Sequence, residues 1–165
     1  MIGFEPEVKS LDEIEILGSR ELGSGYMSKV KEGRHRTTGK AYAVKMVNLS
    51  EVRGGDLEAL RRELEIHKGL KHDNIVKLHN AFESNGCMYI ILEHIKLGNL
   101  YDFTKKEALS EDELISIFYQ VTLAVDYLHR EKVLHRDISP RTFFWRVRVR
   151  PSFVTSGFLP RTARR

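Results

Sequence analysis

The feature that most constrains the fold of this chain is a run of three short strand patterns joined by turns within residues 16–47. The predicted strands span residues 16–22, 27–33 and 41–47. Gly23 and Gly25 separate the first two strands, and a turn at residues 37–40 precedes the third. Two further strands, at 75–82 and 87–93, are joined by Ser84-Asn85-Gly86, a tight-turn sequence. The first part of the chain is therefore expected to form a sheet.

Two helices are predicted by apolar residues that recur on one face. Residues 56–70 show this period, with the repeating positions Leu57, Leu60, Leu64 and His67 and a candidate N-cap at Asp56. A capping box from Ser110 to Glu113 opens the longest helix, which we expect to end near Arg130. The apolar stripe of that helix consists of Leu114, Ile117, Phe118, Val121, Val125 and Leu128.

Composition limits the class of protein. With 165 residues, of which 41% are hydrophobic and 30% charged, the chain has room for one ordinary soluble domain. The single cysteine, Cys87, excludes an internal disulfide, and acidic residues stand where a signal peptide has a basic region. No apolar run approaches the roughly 20 residues that span a bilayer. We therefore expect an intracellular protein, cytoplasmic or nuclear, without a membrane partner.

Charge is distributed unevenly along the chain. Residues 139–165 contain seven arginines and no Asp, Glu or Lys, which leaves 20 basic and 23 acidic residues in 1–138. Such an abrupt shift marks a compositional boundary at residue 139. The first 138 residues show no charge signature of nucleic-acid binding. For the basic tail, contact with nucleic acid or anionic lipid is an alternative to having no selected role.

Three groups of residues are candidates for phosphate chemistry. Gly23-Ser24-Gly25 permits close approach of the backbone to a phosphate, although such a pattern alone more often marks a hairpin turn. It is neither a P-loop nor a dinucleotide fingerprint, since no Gly-Lys-Ser/Thr follows and a strand comes next. Lys45 lies on an apolar strand, and Glu63 on the following helix is a candidate to orient its ammonium group. An ordinary surface contact is the alternative for that pair.

The third group is His135-Arg136-Asp137, in the loop after the long helix. A carboxylate held in a rigid loop can accept a hydroxyl proton, which makes Asp137 a candidate general base. Purely structural roles for the histidine and arginine are the alternative.

Together the glycine loop, strand lysine, helix glutamate and His-Arg-Asp occur in the order and spacing of the protein-kinase signature. Residues 62–78 and 88–93 also resemble the family's passage into its fourth strand and its fifth strand with the hinge. Over residues 16–138 the chain therefore resembles the eukaryotic protein kinase superfamily. Its Ser/Thr kinases are favoured over its tyrosine kinases only by the Lys-Pro-Glu-Asn of the shifted reading frame described below.

The resemblance implies an α+β fold in which a five-stranded antiparallel N-lobe sheet with one helix is followed by the start of a helical C-lobe. It divides the chain into an extension at 1–15, an N-lobe with hinge at 16–95, a partial C-lobe at 96–138 and an out-of-pattern tail at 139–165. The implied cofactors are ATP and Mg²⁺, and the implied partner is a protein substrate. The oligomeric state is left open.

The resemblance also implies individual roles. The residues expected to contact ATP are Leu22, Gly23, Ser24, Gly25, Val30, Ala43, Lys45, Leu92, Glu93 and Ile95. Among them Lys45, paired with Glu63, would hold the α- and β-phosphates, and Leu92 would be the gatekeeper. Asp137 would be the catalytic base, and Arg136 would meet a phosphorylated activation loop. Met27 and Ser28 depart from the family's glycine loop.

The pattern fails after Asp137. The family continues with Lys-Pro-Glu-Asn and later Asp-Phe-Gly, whereas Ser139 stands here for the lysine and Thr142 for the metal-binding asparagine. No Asp-Phe-Gly follows, so we name no metal ligand. We interpret the chain as a Ser/Thr protein kinase domain cut short, and expect it to be inactive as written. The alternative is a non-catalytic module that binds nucleotide or a partner.

A shift of reading frame accounts for this failure. Residues 139–146, back-translated with suitable third bases and read one base earlier, become Lys-Pro-Glu-Asn-Ile-Leu-Leu-Glu. The same shift gives Asp-Phe-Gly beginning at position 155, which is 18 residues after Asp137. We therefore predict that the tail is out of frame, through a sequencing or gene-model error, a splice choice or a real frameshift.

Overall fold

The computed structural model describes residues 8–25, 28–145, 151–153 and 159–160. It contains two compact units. The sheet unit comprises residues 1–58 and 78–94, and the helical unit comprises residues 59–77 and 95–165. Met27, where a predicted strand begins, lies outside the described residues.

A five-stranded antiparallel sheet with the strand order β1-β2-β3-β5-β4 forms the sheet unit and confirms the predicted N-lobe architecture. Short 3-10 helices at Leu11–Glu13 and Leu49–Glu51 flank its first three strands. The strands are β1 (Ile14–Gly25), β2 (Ser28–His35), β3 (Ala41–Asn48), β4 (Leu78–Ser84) and β5 (Cys87–Glu93).

The strand pattern sets which face of the sheet is buried. Because side chains alternate along a strand, one face collects the apolar cluster Val8, Ile14, Tyr42, Val44 and Ile91. At the β4–β5 turn, Asn85 and Gly86 both have positive φ, 48° and 73°. This is the backbone that an Asn-Gly hairpin turn requires, so the predicted tight turn is confirmed.

Three helices are described, α1 (Gly54–Gly69), α2 (Leu100–Thr104) and α3 (Glu111–Arg130). The predicted capping box is present, with the Glu113 N–H donating to Ser110 Oγ at 3.3 Å and the Ser110 N–H to Glu113 Oε2 at 2.9 Å. The predicted end of α3 at Arg130 is also confirmed. The N-cap predicted at Asp56 is wrong, because α1 begins at Gly54 and Asp56 lies in its first turn.

Apolar residues of α3 and its neighbours form the core of the helical unit: Ile75, Leu100, Ile117, Ala124, Leu128 and Val133. Ile75 was predicted to begin a strand, but β4 starts only at Leu78. The β-branched pair Ile75-Val76 has strand-like composition, whereas Ile75 is buried among helices. Of the predicted stripe of α3, Leu114 and Phe118 are 41% and 68% exposed.

Two short antiparallel strand pairs complete the helical unit. β6 (Val133–Leu134) pairs with β9 (Leu159–Pro160), and β7 (Phe143–Trp145) pairs with β8 (Pro151–Phe153). Among the described helices, none combines the length and apolar character needed to cross a bilayer.

Candidate functional site

Several residues predicted to bind nucleotide form one row across the sheet. Gly23 lies opposite Val30 between β1 and β2, Val30 opposite Lys45 between β2 and β3, and Lys45 opposite Ile90 between β3 and β5. Residues directly opposite each other in an antiparallel sheet share a face. We call Gly23, Val30, Lys45 and Ile90 the site row. Gly23, Val30 and Lys45 were predicted as site residues, and Ile90 was not.

A second line of predicted residues runs beside the site row. Ala43 lies two residues before Lys45 on β3 and opposite Leu92 on β5, so both share the face of the site row. Leu92 is buried, and Val30, Ala43 and Lys45 are half-buried. The backbone register therefore brings five of the predicted nucleotide-binding residues onto one face.

Two glycines of the β1–β2 hairpin, Gly23 and Gly33, have different surroundings. A Cβ built on Gly23 meets no atom within 4 Å, whereas one on Gly33 falls 2.7 Å from Val44 Cγ2 and 2.9 Å from Ile14 Cγ2. Gly33 is thus required by packing. Gly23 is not, which leaves open space beside the backbone where the sequence predicts a phosphate. Ser24 and Gly25 continue β1 opposite Lys29 and Ser28, and Leu22 is 38% exposed.

The predicted adenine-edge residues lie where β5 ends. Glu93 is the last residue of β5 and pairs with Tyr42 of β3. Ile95 is buried, and its carbonyl accepts a hydrogen bond from the Gly98 N–H at 3.2 Å. Glu93 belongs to the sheet unit and Ile95 to the helical unit.

Lys45 and Glu63 also belong to different units. Lys45 is half-buried in the middle of β3, and Glu63 is half-buried near the middle of α1. Since Glu63 falls within residues 59–77, it shares its unit with Arg136 and Asp137. The ion pair predicted between Lys45 and Glu63 stays a prediction.

The loop that follows β6 holds the predicted catalytic residues. His135 is 4% exposed, and its Nδ1 accepts a hydrogen bond from the Asp137 N–H at 3.2 Å. Arg136 has a φ of 64°, in the left-handed region that residues other than glycine rarely adopt. The side chains of Arg136 and Asp137 are exposed. The loop thus turns sharply around a buried histidine and presents the Asp137 carboxylate outward.

Residues 139–142 close this loop with a turn. The Thr142 hydroxyl donates to the Ser139 carbonyl at 2.7 Å and accepts from the Ser139 N–H at 2.9 Å. The Pro140 carbonyl accepts from the N–H of Tyr101 in α2 at 3.1 Å. Thr142, which is 8% exposed, therefore uses its one hydroxyl inside its own turn.

The family's magnesium site has no matching residues here. Carboxylate and amide oxygens suit Mg²⁺, but residues 138–165 contain no Asp, Glu, Asn or Gln, and the Thr142 hydroxyl is engaged. Within the described ranges, no group of three or more His, Cys, Asp or Glu side chains is arranged to hold a metal ion. The residues as written do not fit the metal, and we derive no step through it.

Comparison with known proteins decides the family. The protein kinase domain model matches residues 17–148, most of the chain. The chain belongs to the protein kinase family. Its similarity to the "Probable myosin light chain kinase" of Dictyostelium discoideum is 39% identity over 121 residues, which cover 73% of this chain and 31% of that protein. CBL-interacting protein kinase 11 of Oryza sativa is 40% identical over 123 residues, covering 73% and 24%.

A solved structure supports the same kinase fold. Rad53 residues 1–466, in complex with AMP-PNP, superposes with a TM-score of 0.82 at 30% identity, covering 88% of this chain and 39% of that one. Serine/threonine-protein kinase SIK1 of Rattus norvegicus is 37% identical over 120 residues, covering 72% of this chain and 16% of that protein. This kinase chain therefore spans less than a third of the length of these curated relatives.

The His-Arg-Asp motif predicted no catalytic role for His135, and a structural role was the alternative. A histidine beside exposed charged residues has no distinctive sequence signal for burial. Its contact with the Asp137 N–H identifies it as the residue that fixes this loop.

Proposed function

We propose that the kinase of which this chain spans a part transfers the γ-phosphate of ATP to Ser or Thr hydroxyls of protein substrates, and that the chain as written is incomplete for this reaction. The observation that carries the proposal is the site row, because antiparallel register aligns Gly23, Val30 and Lys45 on one face of the sheet. The named Ser/Thr kinases among its relatives support the choice of hydroxyl. The AMP-PNP named with the Rad53 structure supports the choice of nucleotide.

In this mechanism the protein mainly positions groups and offsets charge. The open backbone at Gly23 lies close to the phosphates, and the Lys45 ammonium binds the α- and β-phosphate oxygens. Glu63 fixes the direction of that ammonium. The backbone N–H of Asp137 donates to His135 Nδ1, and the Asp137 carboxylate accepts the proton of the attacking hydroxyl. Mg²⁺ would offset phosphate charge in a complete family member, and we assign no residue of this chain to it.

A second candidate function is nucleotide binding without turnover. Thr142 favours this function, because it stands where the family has a metal-binding asparagine. Its hydroxyl is hydrogen-bonded to Ser139 within its own turn. Phosphate transfer from labelled ATP to a generic protein substrate separates the two functions. Transfer by the chain with the shifted frame restored after residue 138, if Asp137→Asn abolishes it, supports the kinase, whereas saturable binding with no transfer even by the restored chain supports the binding module.

Nucleotide affinity tests what the two functions share. We expect a fluorescent ATP analogue to bind saturably, and Lys45→Met to raise its Kd by about tenfold or more, equivalent to about 1.4 kcal/mol. Gly23→Val should also weaken binding, because its side chain fills the space beside the phosphates.

Gly18→Val is the matched control, since Gly18 lies on the same strand and a Cβ there also meets no atom within 4 Å. Equal effects of the two glycine variants, or full affinity in Lys45→Met, would refute the assigned nucleotide site.

A further inference from the structure

Large apolar side chains are exposed along one face of α3, in the helical unit. Within the described part of the chain, the three most exposed large hydrophobic side chains are Ile115, Phe118 and Tyr119, which are 61%, 68% and 65% exposed. Together with Thr122, which is also exposed, they have the i, i+3, i+4 and i+7 spacing of a single helix face. We call these four residues the α3 seam. Strand β8 also lies against α3, and it leaves the α3 seam exposed.

The α3 seam is not the face by which the helix joins its own unit. That face consists of Ile117, Ala124 and Leu128, which are buried in the core of the helical unit and lie roughly across the helix from the α3 seam. The Thr122 hydroxyl donates to the Phe118 carbonyl at 2.8 Å, so its hydrogen bond is made inside the helix. A second apolar surface can therefore cover the α3 seam without leaving this hydroxyl unpaired.

Charge changes sign from one end of this face to the other. Glu111 lies four residues before Ile115, and Arg130 eight residues after Thr122, so both exposed side chains extend the face of the α3 seam. Arg130 Nη2 contacts Asp126 Oδ2 at 2.7 Å, but its side chain is 76% exposed and a guanidinium has five N–H donors. Two copies of α3 laid antiparallel therefore bring the acidic end of each to the basic end of the other.

The exposed area is suited to a weak, specific pair. Leu114 and Leu123 flank the α3 seam and are 41% and 38% exposed. With these flanks, the α3 seam exposes roughly 500 Å² per copy, since a fully exposed aromatic side chain presents about 150–250 Å². A symmetric pair would bury about 1,000 Å² in all, which is near the lower bound for specific interfaces. Such an area is typical of a reversible association.

We propose that the α3 seam is the interface of a symmetric dimer of this chain, in which the two α3 helices pack antiparallel. Because both copies use the same surface, the assembly closes at two subunits. Aligning the midpoints of the two 20-residue helices puts Glu111 opposite Arg130 of the partner subunit, and Tyr119 opposite Thr122 of the partner subunit. The dimer does not depend on phosphate transfer or on nucleotide binding.

Sedimentation equilibrium of the 165-residue chain tests the proposal. We expect a reversible dimer with a Kd of about 1–50 μM, and Phe118→Lys should raise that Kd about 100-fold. Leu97→Lys is the matched control, because it replaces a 46% exposed leucine outside α3, and it should change the Kd by less than about twofold. A chain that is monomeric up to about 100 μM overturns the proposal, whatever else covers the α3 seam. Association that continues beyond a dimer, or equal effects of the two variants, also overturns it.

Exchanging the end charges separates pairing from folding. Glu111→Arg and Arg130→Glu should each raise the Kd about tenfold, because like charges then meet across the interface. The double variant should return to within about threefold of the unaltered chain, although both changes oppose the helix dipole. A more stable helix therefore cannot explain the recovery. A double variant that dimerises no better than the single ones overturns the antiparallel pairing.

Cysteine cross-linking tests the direction of the helices and does not require Phe118→Lys to fold. In a Cys87→Ser background, which removes the chain's one cysteine, Thr122→Cys lies near the two-fold axis and should form a disulfide between subunits. Glu111→Cys should form none, since a rise of about 1.5 Å per residue separates the two copies of position 111 by roughly 28 Å. Disulfides at both positions would indicate parallel helices, and disulfides at neither would show no contact there. Either result overturns the proposal.

Discussion

The site row and the 135–142 loop both carry predicted functional residues, but strand register positions the row, whereas side-chain hydrogen bonds help to position the loop. Register along four hydrogen-bonded strands sets the site row, so backbone hydrogen bonds to neighbouring strands fix each position. The contacts of the loop include the hydrogen bonds of the His135 and Thr142 side chains. The row keeps the residue types that phosphate binding needs, whereas the loop keeps its shape and lacks metal-binding residues. An ordered loop backbone therefore does not require the side chains that would bind a metal.

The largest expected effect would remove this contrast. Replacing residues 139–165 with the sequence of the shifted frame supplies Lys-Pro-Glu-Asn and Asp-Phe-Gly, followed by the codons that continue that frame. We expect phosphate transfer to rise at least about 10³-fold above the chain as written, since the groups of a phosphoryl-transfer site act together. The measurement is transfer of labelled phosphate to a generic protein substrate.

Lys45→Met and Asp137→Asn in the restored chain are the controls, and each should abolish transfer. Transfer by the chain as written that Asp137→Asn removes would contradict the expectation. The DNA is an independent check, because stop codons in the shifted frame soon after codon 139 would exclude the frameshift.

The next effect tests the loop's dependence on His135. In the restored chain, His135→Phe removes the acceptor of the Asp137 N–H and should lower transfer by about 10- to 100-fold, the loss that a small misplacement of a catalytic group produces. Nucleotide affinity should stay within about twofold, since the site row is untouched. A parallel loss of affinity would show that the two regions are not separable in this way.

Packing on the face of the sheet opposite the site row predicts a moderate effect on stability. Gly33→Ala places a methyl group 2.7 Å from Val44 Cγ2, and overpacking of this kind costs about 1–3 kcal/mol in the free energy of unfolding. Gly23→Ala meets no neighbour within 4 Å and should change stability by less than about 0.5 kcal/mol. Urea denaturation of both variants measures the difference, and similar midpoints would contradict the contrast between the two glycines.

The smallest effect concerns the turn that ends the loop. Thr142→Val removes the hydroxyl that bonds both the N–H and the carbonyl of Ser139. We expect it to lower the free energy of unfolding by about 1 kcal/mol. Thr142→Ser keeps the hydroxyl and is the matched control. Thermal melts of the two variants should separate them, and a Thr142→Val melt equal to that of the unaltered chain would show that the turn does not depend on these bonds.

The strands of the sheet could be predicted well because residues close together in the sequence determine them. Asn85-Gly86 determines one hairpin, and alternating side chains determine which face receives Lys45. The capping box at Ser110 located the longest helix for the same reason. The α2 helix was missed, since five residues with an Asn99 cap give too short a period to detect.

Predictions failed where distant residues decide the structure. Ile75-Val76 has the composition of a strand, yet Ile75 is buried in the core of the helical unit. Asp56 has the side chain of an N-cap, but the chain enters the helix two residues earlier at Gly54. The burial of His135 depends on tertiary packing, and the Asn74–Gln120 hydrogen bond joins residues far apart in the sequence. No sequence periodicity therefore indicated either feature.

The left-handed backbone of Arg136 has a consequence for engineering. A residue with a Cβ costs about 1–2 kcal/mol there, whereas glycine adopts the same backbone freely. A screen that rewards melting temperature alone would therefore favour Arg136→Gly and discard the guanidinium next to Asp137. Thermal tolerance and the predicted contact of Arg136 with a phosphorylated activation loop therefore compete at this one position, so a stabilised variant of this kinase should be selected with residue 136 held constant.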